Sequence, residues 1–235
     1  MSKRRSSKII FTGKEGSGKS LRMAYLARFV LKANAYFLTK TGVMRPIYTN
    51  IKFSDEFITK AESLKIKIIE WSNLEDLIGL EGCDIFIDEI GTYFDSRLWS
   101  ELPLTVRRWI AQCDKNGVNI YGTAQDFAQI DKSFRRLVSN LYHITKLAGS
   151  PRPHRTYPAI KYPWGIFMTR MLDAKSYKED DAKLDKTGFP SFFLLSKDDY
   201  SVYSTNQSIF MSKALPLRHL SRICAECGLT KVSHS

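Results

Sequence analysis

An α/β fold built on a mainly parallel sheet is what this chain of 235 residues predicts, and three observations carry the prediction. Short apolar runs alternate with helix-length stretches between about Lys8 and Leu147, the order that sets parallel strands between covering helices. A glycine-rich stretch, Phe11 to Ser20 (FTGKEGSGKS), lies directly behind the first apolar run. A later apolar run ends in two adjacent carboxylates, Asp88 and Glu89.

The elements follow in chain order. Ile9-Ile10-Phe11 reads as a buried strand and Leu21 to Val30 as a helix. Between them Gly13, Gly18, Lys19 and Ser20 fit G-x-x-x-x-G-K-[ST], the phosphate-cradling P-loop. A flexible glycine turn is the plainer alternative, and the strand before and helix after argue against it. Arg45-Pro46 precedes a second strand, Ile47 to Ile51. Lys65 to Glu70 alternates apolar and polar and predicts a short strand. Ser72 to Gly79 has a Ser-x-x-Glu capping pattern, Ser72 with Glu75, before a short helix. Asp84-Ile85-Phe86-Ile87 is the next buried strand. A helix over roughly Pro103 to Asn116 is closed by Gly117. Val118 to Thr123 returns as a strand, Gln129 to Ser139 predicts a helix, and Leu141 to Lys146 a further strand. Beyond Gly149 the stretch GSPRPHRTYP is proline-rich and basic, an extended connection. Gly165 to Met168 and Phe192 to Leu195 then read as strands of an antiparallel extension. The expected organisation is one domain over 1–207, with a core of about 8–147 and an extension of about 148–207, and a tail over 208–235.

Composition narrows the partners. The formal net charge of +12 comes from 36 basic against 24 acidic residues. Nucleic acid, an anionic membrane surface and crowded phosphates suit such a surface; a solvated basic face is the bland alternative. Much of the excess lies in the arm Lys3-Arg4-Arg5 and in Lys132 to Lys161, including Lys146 and the Arg152-Pro153-His154-Arg155 connection. Both stretches are expected to touch phosphate backbone without reading sequence. No apolar run approaches the ~18 residues that span a bilayer, and the basic N-terminus lacks the apolar stretch of a signal peptide. A cytoplasmic protein is the expectation. The four cysteines are too sparse for a disulfide framework. Cys224 and Cys227 have the spacing of half a zinc site, with His219 and His234 as acceptable further ligands, or are simply unliganded.

The chemistry concentrates at predicted strand ends. Gly13, Lys14, Glu15, Gly16, Ser17, Gly18, Lys19 and Ser20 form the expected nucleotide loop, with Lys19 reaching the β/γ oxygens of ATP and the Ser20 hydroxyl on Mg²⁺. Asp88 at the carboxyl end of its strand suits the same metal, and Glu89 suits a base that polarises the attacking water. An exposed acidic strand end is the alternative for this pair. Gln125, ending NIYGTAQD, places a neutral amide beside the γ-phosphate as a sensor; standing alone it would be a surface glutamine.

The P-loop, YTNI, IDEIGTYFDSR, a basic helix ending in Lys115-Asn116-Gly117, and GTAQDFAQIDKSFRRL together resemble the zonula occludens toxin-like ATPases. These are phage morphogenesis proteins in the FtsK/HerA-type branch of P-loop motors. The resemblance runs from about Lys8 to Leu147, with a weaker echo over 200–205. It implies a three-layer, RecA/FtsK-HerA-like fold and ATP-driven movement of DNA by a homo-oligomeric ring during packaging or extrusion of a viral genome. Filament-assembly members typically carry a membrane-spanning segment after the ATPase domain, and no stretch here provides one. The expectation is therefore a soluble motor docked on a capsid, a membrane or a separate protein. In such rings a neighbour's arginine completes the site; Arg135 and Arg136 are the first candidates, then Arg107 and Arg108, then Arg97. The rival reading is a nucleotide-switched scaffold or membrane-associated assembly factor that translocates nothing. A small-molecule kinase fits less well, because Glu89 beside Asp88 and Gln125 suits water activation.

Overall fold

The computed structural model describes residues 6–150, 164–176, 186–194 and 202. Six strands run parallel: β1 (Lys8–Thr12), β2 (Ile47–Thr49), β3 (Ile68–Glu70), β4 (Asp84–Ile87), β5 (Asn119–Ala124) and β6 (Asn140–Ser150). β7 (Trp164–Leu172) and β8 (Lys186–Leu194) continue the sheet antiparallel, giving the order β3-β2-β4-β5-β1-β6-β7-β8. Five α-helices are described: α1 (Lys19–Thr41), α2 (Asp55–Ser63), α3 (Ile90–Tyr93), α4 (Leu104–Gln112) and α5 (Lys132–Arg135). The fold is the expected three-layer α/β arrangement with an antiparallel extension.

Alternation along the central strands sorts the two layers. Ile85 and Ile87 of β4 and Ile120 of β5 face a core closed by Ile90, Val106, Trp109 and Phe134. Phe86 and Tyr121 point the other way, against Met23, Ala27 and Leu31 of α1 and Phe57 of α2. Strands covered on both faces carry continuous apolar runs, which is why β4 was legible as DIFI. The order sets β5 between β1 and β4, so the P-loop strand and the acidic strand end on the same edge, where ligands gather in open parallel sheets.

Several elements differ from expectation. The helix expected over Leu21 to Val30 runs on to Thr41, because Lys32 to Leu38 contains no breaker and Gly42, at φ 72, caps it by donating to Leu38 O at 2.8 Å. The helix expected over Gln129 to Ser139 is a single turn, α5. Asp126 accepts from Ala128 N at 2.9 Å and Asp131 from Ser133 N at 2.6 Å, and these local bonds replace a continuous helical ladder. The short turn after Trp71 is capped by Asp76, which accepts from Ser72 N at 3.1 Å and Asn73 N at 3.0 Å; Ser72 and Glu75 do not form the expected pair. α4 ends at Gln112 rather than Asn116, although Gly117 does turn the chain at φ 65. α2 was not anticipated; Ser54 caps it, its side chain accepting from Phe57 N at 3.2 Å.

The opposite edge of the sheet is held by a buried ion pair. Arg45 Nε lies 2.8 Å from Asp84 Oδ2, and the same carboxylate accepts from Asn34, Asn119 and Tyr121. Arg45 Nη2 also donates to the carbonyls of Cys83 and Gly117. The network joins α1, β4 and β5 away from the predicted chemistry. Arg45→Leu strands the Asp84 carboxylate in the core, and we expect it to lower unfolding free energy in urea by about 3–5 kcal/mol. An unchanged urea midpoint would show that the pair contributes nothing net.

Candidate active site

The loop after β1 is shaped by what it passes. Gly13, at φ 149, lies so close to β6 that a Cβ there would sit 2.5 Å from Ile144 O and 2.7 Å from Ser17 Oγ. Gly18, at φ 92, lies against the Phe167 ring of β7, which an added Cβ would overlap. Both positions exclude a side chain by space as well as by dihedral. Lys19 is buried, and its Nζ donates to Gly13 O at 2.8 Å and Lys14 O at 3.2 Å, so the ammonium is folded back over the loop's own carbonyls. Ser17 Oγ is buried with no hydrogen-bond partner. α1 opens with no side-chain cap and no acidic residue in its first turn, leaving N–H groups and the positive end of its dipole for an anion. A cradle too tight for Cβ atoms, an unsatisfied buried hydroxyl and a bare helix N-terminus together fit bound phosphate.

The acidic strand end faces this loop. Asp88 is buried, its carboxylate accepts from the Thr123 hydroxyl, and it lies within hydrogen-bonding reach of Ser20. Asn50 at the end of β2 fixes the Asp88 backbone, its Oδ1 accepting from Asp88 N at 2.8 Å and its Nδ2 donating to Asp88 O at 3.1 Å. Burial pushes the Asp88 carboxyl above its ordinary value, and Thr123, the Glu89 N–H, Lys19 and Ser20 only partly restore the anion. Among the described residues no three His, Cys, Asp or Glu side chains form a metal cluster. A hydroxyl and one carboxylate are nonetheless the oxygen donors magnesium takes when phosphate and water supply the rest of its shell.

Glu89 adopts left-handed backbone, φ 50, rare for a residue with a side chain. Its N–H donates to Thr123 Oγ1 at 2.9 Å. Burial and then Asp88 raise its carboxyl above the ordinary value, while Lys19 and a hydrogen bond from the Gln125 side chain pull it back. The half-buried carboxylate thus feels the charge of the loop lysine and bonds an exposed amide, and its raised proton affinity makes it a better base near neutral pH. Gly13 to Ser20, Asp88, Glu89 and Gln125 therefore meet at one edge.

The arginines separate. Arg135 is buried, its guanidinium 6.0 Å from the Phe127 ring centroid, whereas Arg136 is exposed. Arg97 forms an exposed two-pronged pair with Asp95 on its own loop, and Arg108 is exposed on α4. Four residues to which the sequence assigns no role also enter the site: Thr123, Asn50, Phe167 and His143. His143 lies 3.4 Å from Thr12 Oγ1 through Nδ1, and burial, Arg170 and Lys19 all lower its proton affinity. Asn50 was visible within YTNI but without a role; the others carry no local signal. Lys3-Arg4-Arg5, Arg152 to Arg155, and Cys224, Cys227, His219 and His234 lie outside the described residues.

Residues 7–159 match the family model described as Zonular occludens toxin (Zot). No curated protein sequence matches the chain. Among solved structures, the chain is similar to the N-terminal domain of zonular occludens toxin from Neisseria meningitidis, with a TM-score of 0.55 at 20% identity, over 85% of this chain and 100% of that one. It is more loosely similar to the genome packaging NTPase B204 of Sulfolobus turreted icosahedral virus 2 in complex with AMP, with a TM-score of 0.47 at 11% identity, over 78% and 97%. The flagellar accessory protein FlaH from Methanocaldococcus jannaschii matches with a TM-score of 0.43 at 14% identity, over 71% and 78%.

Asp88 generates a prediction that a purely structural acid would not. Its folded-state proton affinity is raised, so ionisation costs stability, and the cost grows as pH climbs from the ordinary carboxylate range through the folded value. Asp88→Asn should therefore melt at or above wild type without metal at pH 8. That margin should shrink as pH falls. A lower melting temperature at pH 8 would mean the ionised carboxylate stabilises the fold.

Proposed function

The chain belongs to the zonular occludens toxin family, and from that premise we propose that it is a magnesium-dependent ATPase acting on DNA as an oligomeric ring in phage or viral genome packaging or extrusion. One observation carries the reading: Glu89, half-buried and turned into left-handed backbone directly after the buried Asp88, feels the Lys19 charge and accepts a hydrogen bond from the Gln125 side chain. A phosphate-binding module needs the loop alone; the placed base adds hydrolysis.

Magnesium, when bound, would neutralise charge on the β- and γ-phosphates, and Ser20 and Asp88 would hold it. Lys19 exchanges the Gly13 and Lys14 carbonyls for phosphate oxygens. The loop N–H groups and the α1 N-terminus hold the β-phosphate. Gln125 orients a water, and its oxygen attacks the γ-phosphorus while Glu89 accepts its proton; the bond to the β-phosphate oxygen breaks, leaving ADP and phosphate. Of the two leading arginines, exposed Arg136 is the one free to reach a neighbouring subunit's site without repacking its own chain. Docking on a capsid vertex, a membrane or a separate protein would localise the ring.

Lys19→Ala should abolish ATP binding. Glu89→Gln should bind ATP and turn over about 10²–10⁴-fold more slowly, the usual worth of general-base assistance. Wild-type turnover in Glu89→Gln would remove it as the base. ATPase rates measured with and without single- and double-stranded DNA separate a motor from a nucleotide-switched scaffold, since only the motor needs a DNA-coupled cycle. Mixing Lys19→Ala with Arg136→Ala subunits should restore part of the activity; no recovery in rings shown to be mixed would exclude Arg136 as the shared residue.

A further inference from the structure

We propose that the outward face of α1 is a stacking platform for single-stranded nucleic acid. α1 carries Lys19, Arg22, Arg28, Lys32 and Lys40 and not one acidic residue. With 3.6 residues per turn, Arg22, Tyr25, Phe29, Lys32, Tyr36 and Lys40 fall along one stripe. Tyr25 is 38% exposed, Phe29 63% and Tyr36 67%. The aliphatic residues Met23, Val30 and Leu31 of the same helix are buried, so the apolar groups shown to solvent on this stripe are rings.

The rings are already arranged with the cations. Tyr25 and Phe29 lie 6.1 Å apart at a 35° tilt. The Arg22 guanidinium lies 4.9 Å from the Tyr25 centroid and 5.0 Å from that of Phe193 on β8. Lys40 Nζ lies 5.7 Å from the Tyr36 centroid. From Tyr25 to Tyr36 the stripe is about 16 Å long at 1.5 Å per residue. Aromatic rings interleaved with cations along a line are the components that hold unpaired bases and their phosphates irrespective of sequence. A duplex would engage the charges but hide its base faces from the rings.

Charge decides among the other occupants. A second copy docking this face on itself would set cations against cations. The chain's segment 208–235 has Lys213, Arg218, Arg222 and Lys231 against Glu226 alone, so it is no complement either. An anionic membrane would satisfy the charge, yet the stripe offers rings rather than the aliphatic side chains that fill an acyl layer.

The inference deepens the proposed action on DNA by naming the strand form, but its test needs no nucleotide. Anisotropy of labelled oligo-dT is measured on the full chain without ATP. Phe29→Ala and Tyr36→Ala should each weaken binding about tenfold, and Phe29→Trp should retain it. Lys32→Gln should lower the salt slope by about 0.7. Duplex binding should change little in the alanine variants. The proposal is overturned if wild type does not bind oligo-dT, or if the alanine variants bind it as wild type does. It is equally overturned if those variants lose only phosphatidylglycerol-vesicle binding, or only self-association. Loss of oligo-dT binding in the variants, in a chain whose ATPase ignores DNA, would uphold this face and sink the motor.

Discussion

A single hydroxyl sets the geometry on which the candidate site depends. Thr123 Oγ1, fully buried at the end of β5, donates to the Asp88 carboxylate and accepts from Glu89 N–H. Two adjacent carboxylates on a strand would otherwise point to opposite faces. Held by Thr123, the chain turns into left-handed backbone at Glu89, and both acids remain beside the loop, Asp88 toward Ser20 and Glu89 toward Gln125. Left-handed backbone costs a non-glycine residue roughly 1–2 kcal/mol, which one net hydrogen bond of about 0.5–1.5 kcal/mol largely offsets. The strain is local and sits where the chemistry is read.

β6 and the antiparallel strands beyond it supply the opposite wall. β6 brings the Ile144 carbonyl against Gly13, and β7 brings Phe167 against Gly18. Phe193 of β8 stacks on Phe167 at 5.0 Å and lies under Arg22 of α1. The strands added after the parallel core therefore pack onto the phosphate loop and the first turn of its helix. α1 links both proposed sites: phosphate at its N-terminal end, an aromatic and basic stripe along its outer face.

What was legible in the sequence was what local pattern determines. DIFI and KIIF announced doubly covered strands, and GKEGSGKS announced the loop because its dihedrals and close approaches demand glycine in order. Asp88, Glu89 and Gln125 were placed because a strand's end can be read from where its apolar run stops. Thr123 was not readable, since its role lies in two bonds across to β4, and a threonine near a strand end is unremarkable. Phe167 was likewise one aromatic among many until β7 was set beside the loop. The helix expected over Gln129 to Ser139 failed because Asp126 and Asp131 satisfy the backbone locally, a competition that apolar periodicity cannot show. Arg135 and Arg136, adjacent in sequence, differ only in tertiary burial.

The most direct test is a crystal structure of the Glu89→Gln chain with ATP and magnesium. The geometry of the loop predicts that Lys19 Nζ leaves the Gly13 and Lys14 carbonyls for phosphate oxygens. Ser20 and Asp88 should share the metal, and residue 89 and Gln125 should face a water in line with the γ-phosphorus. Nucleotide bound elsewhere, or Lys19 still bonded to its own loop with phosphate present, would contradict it.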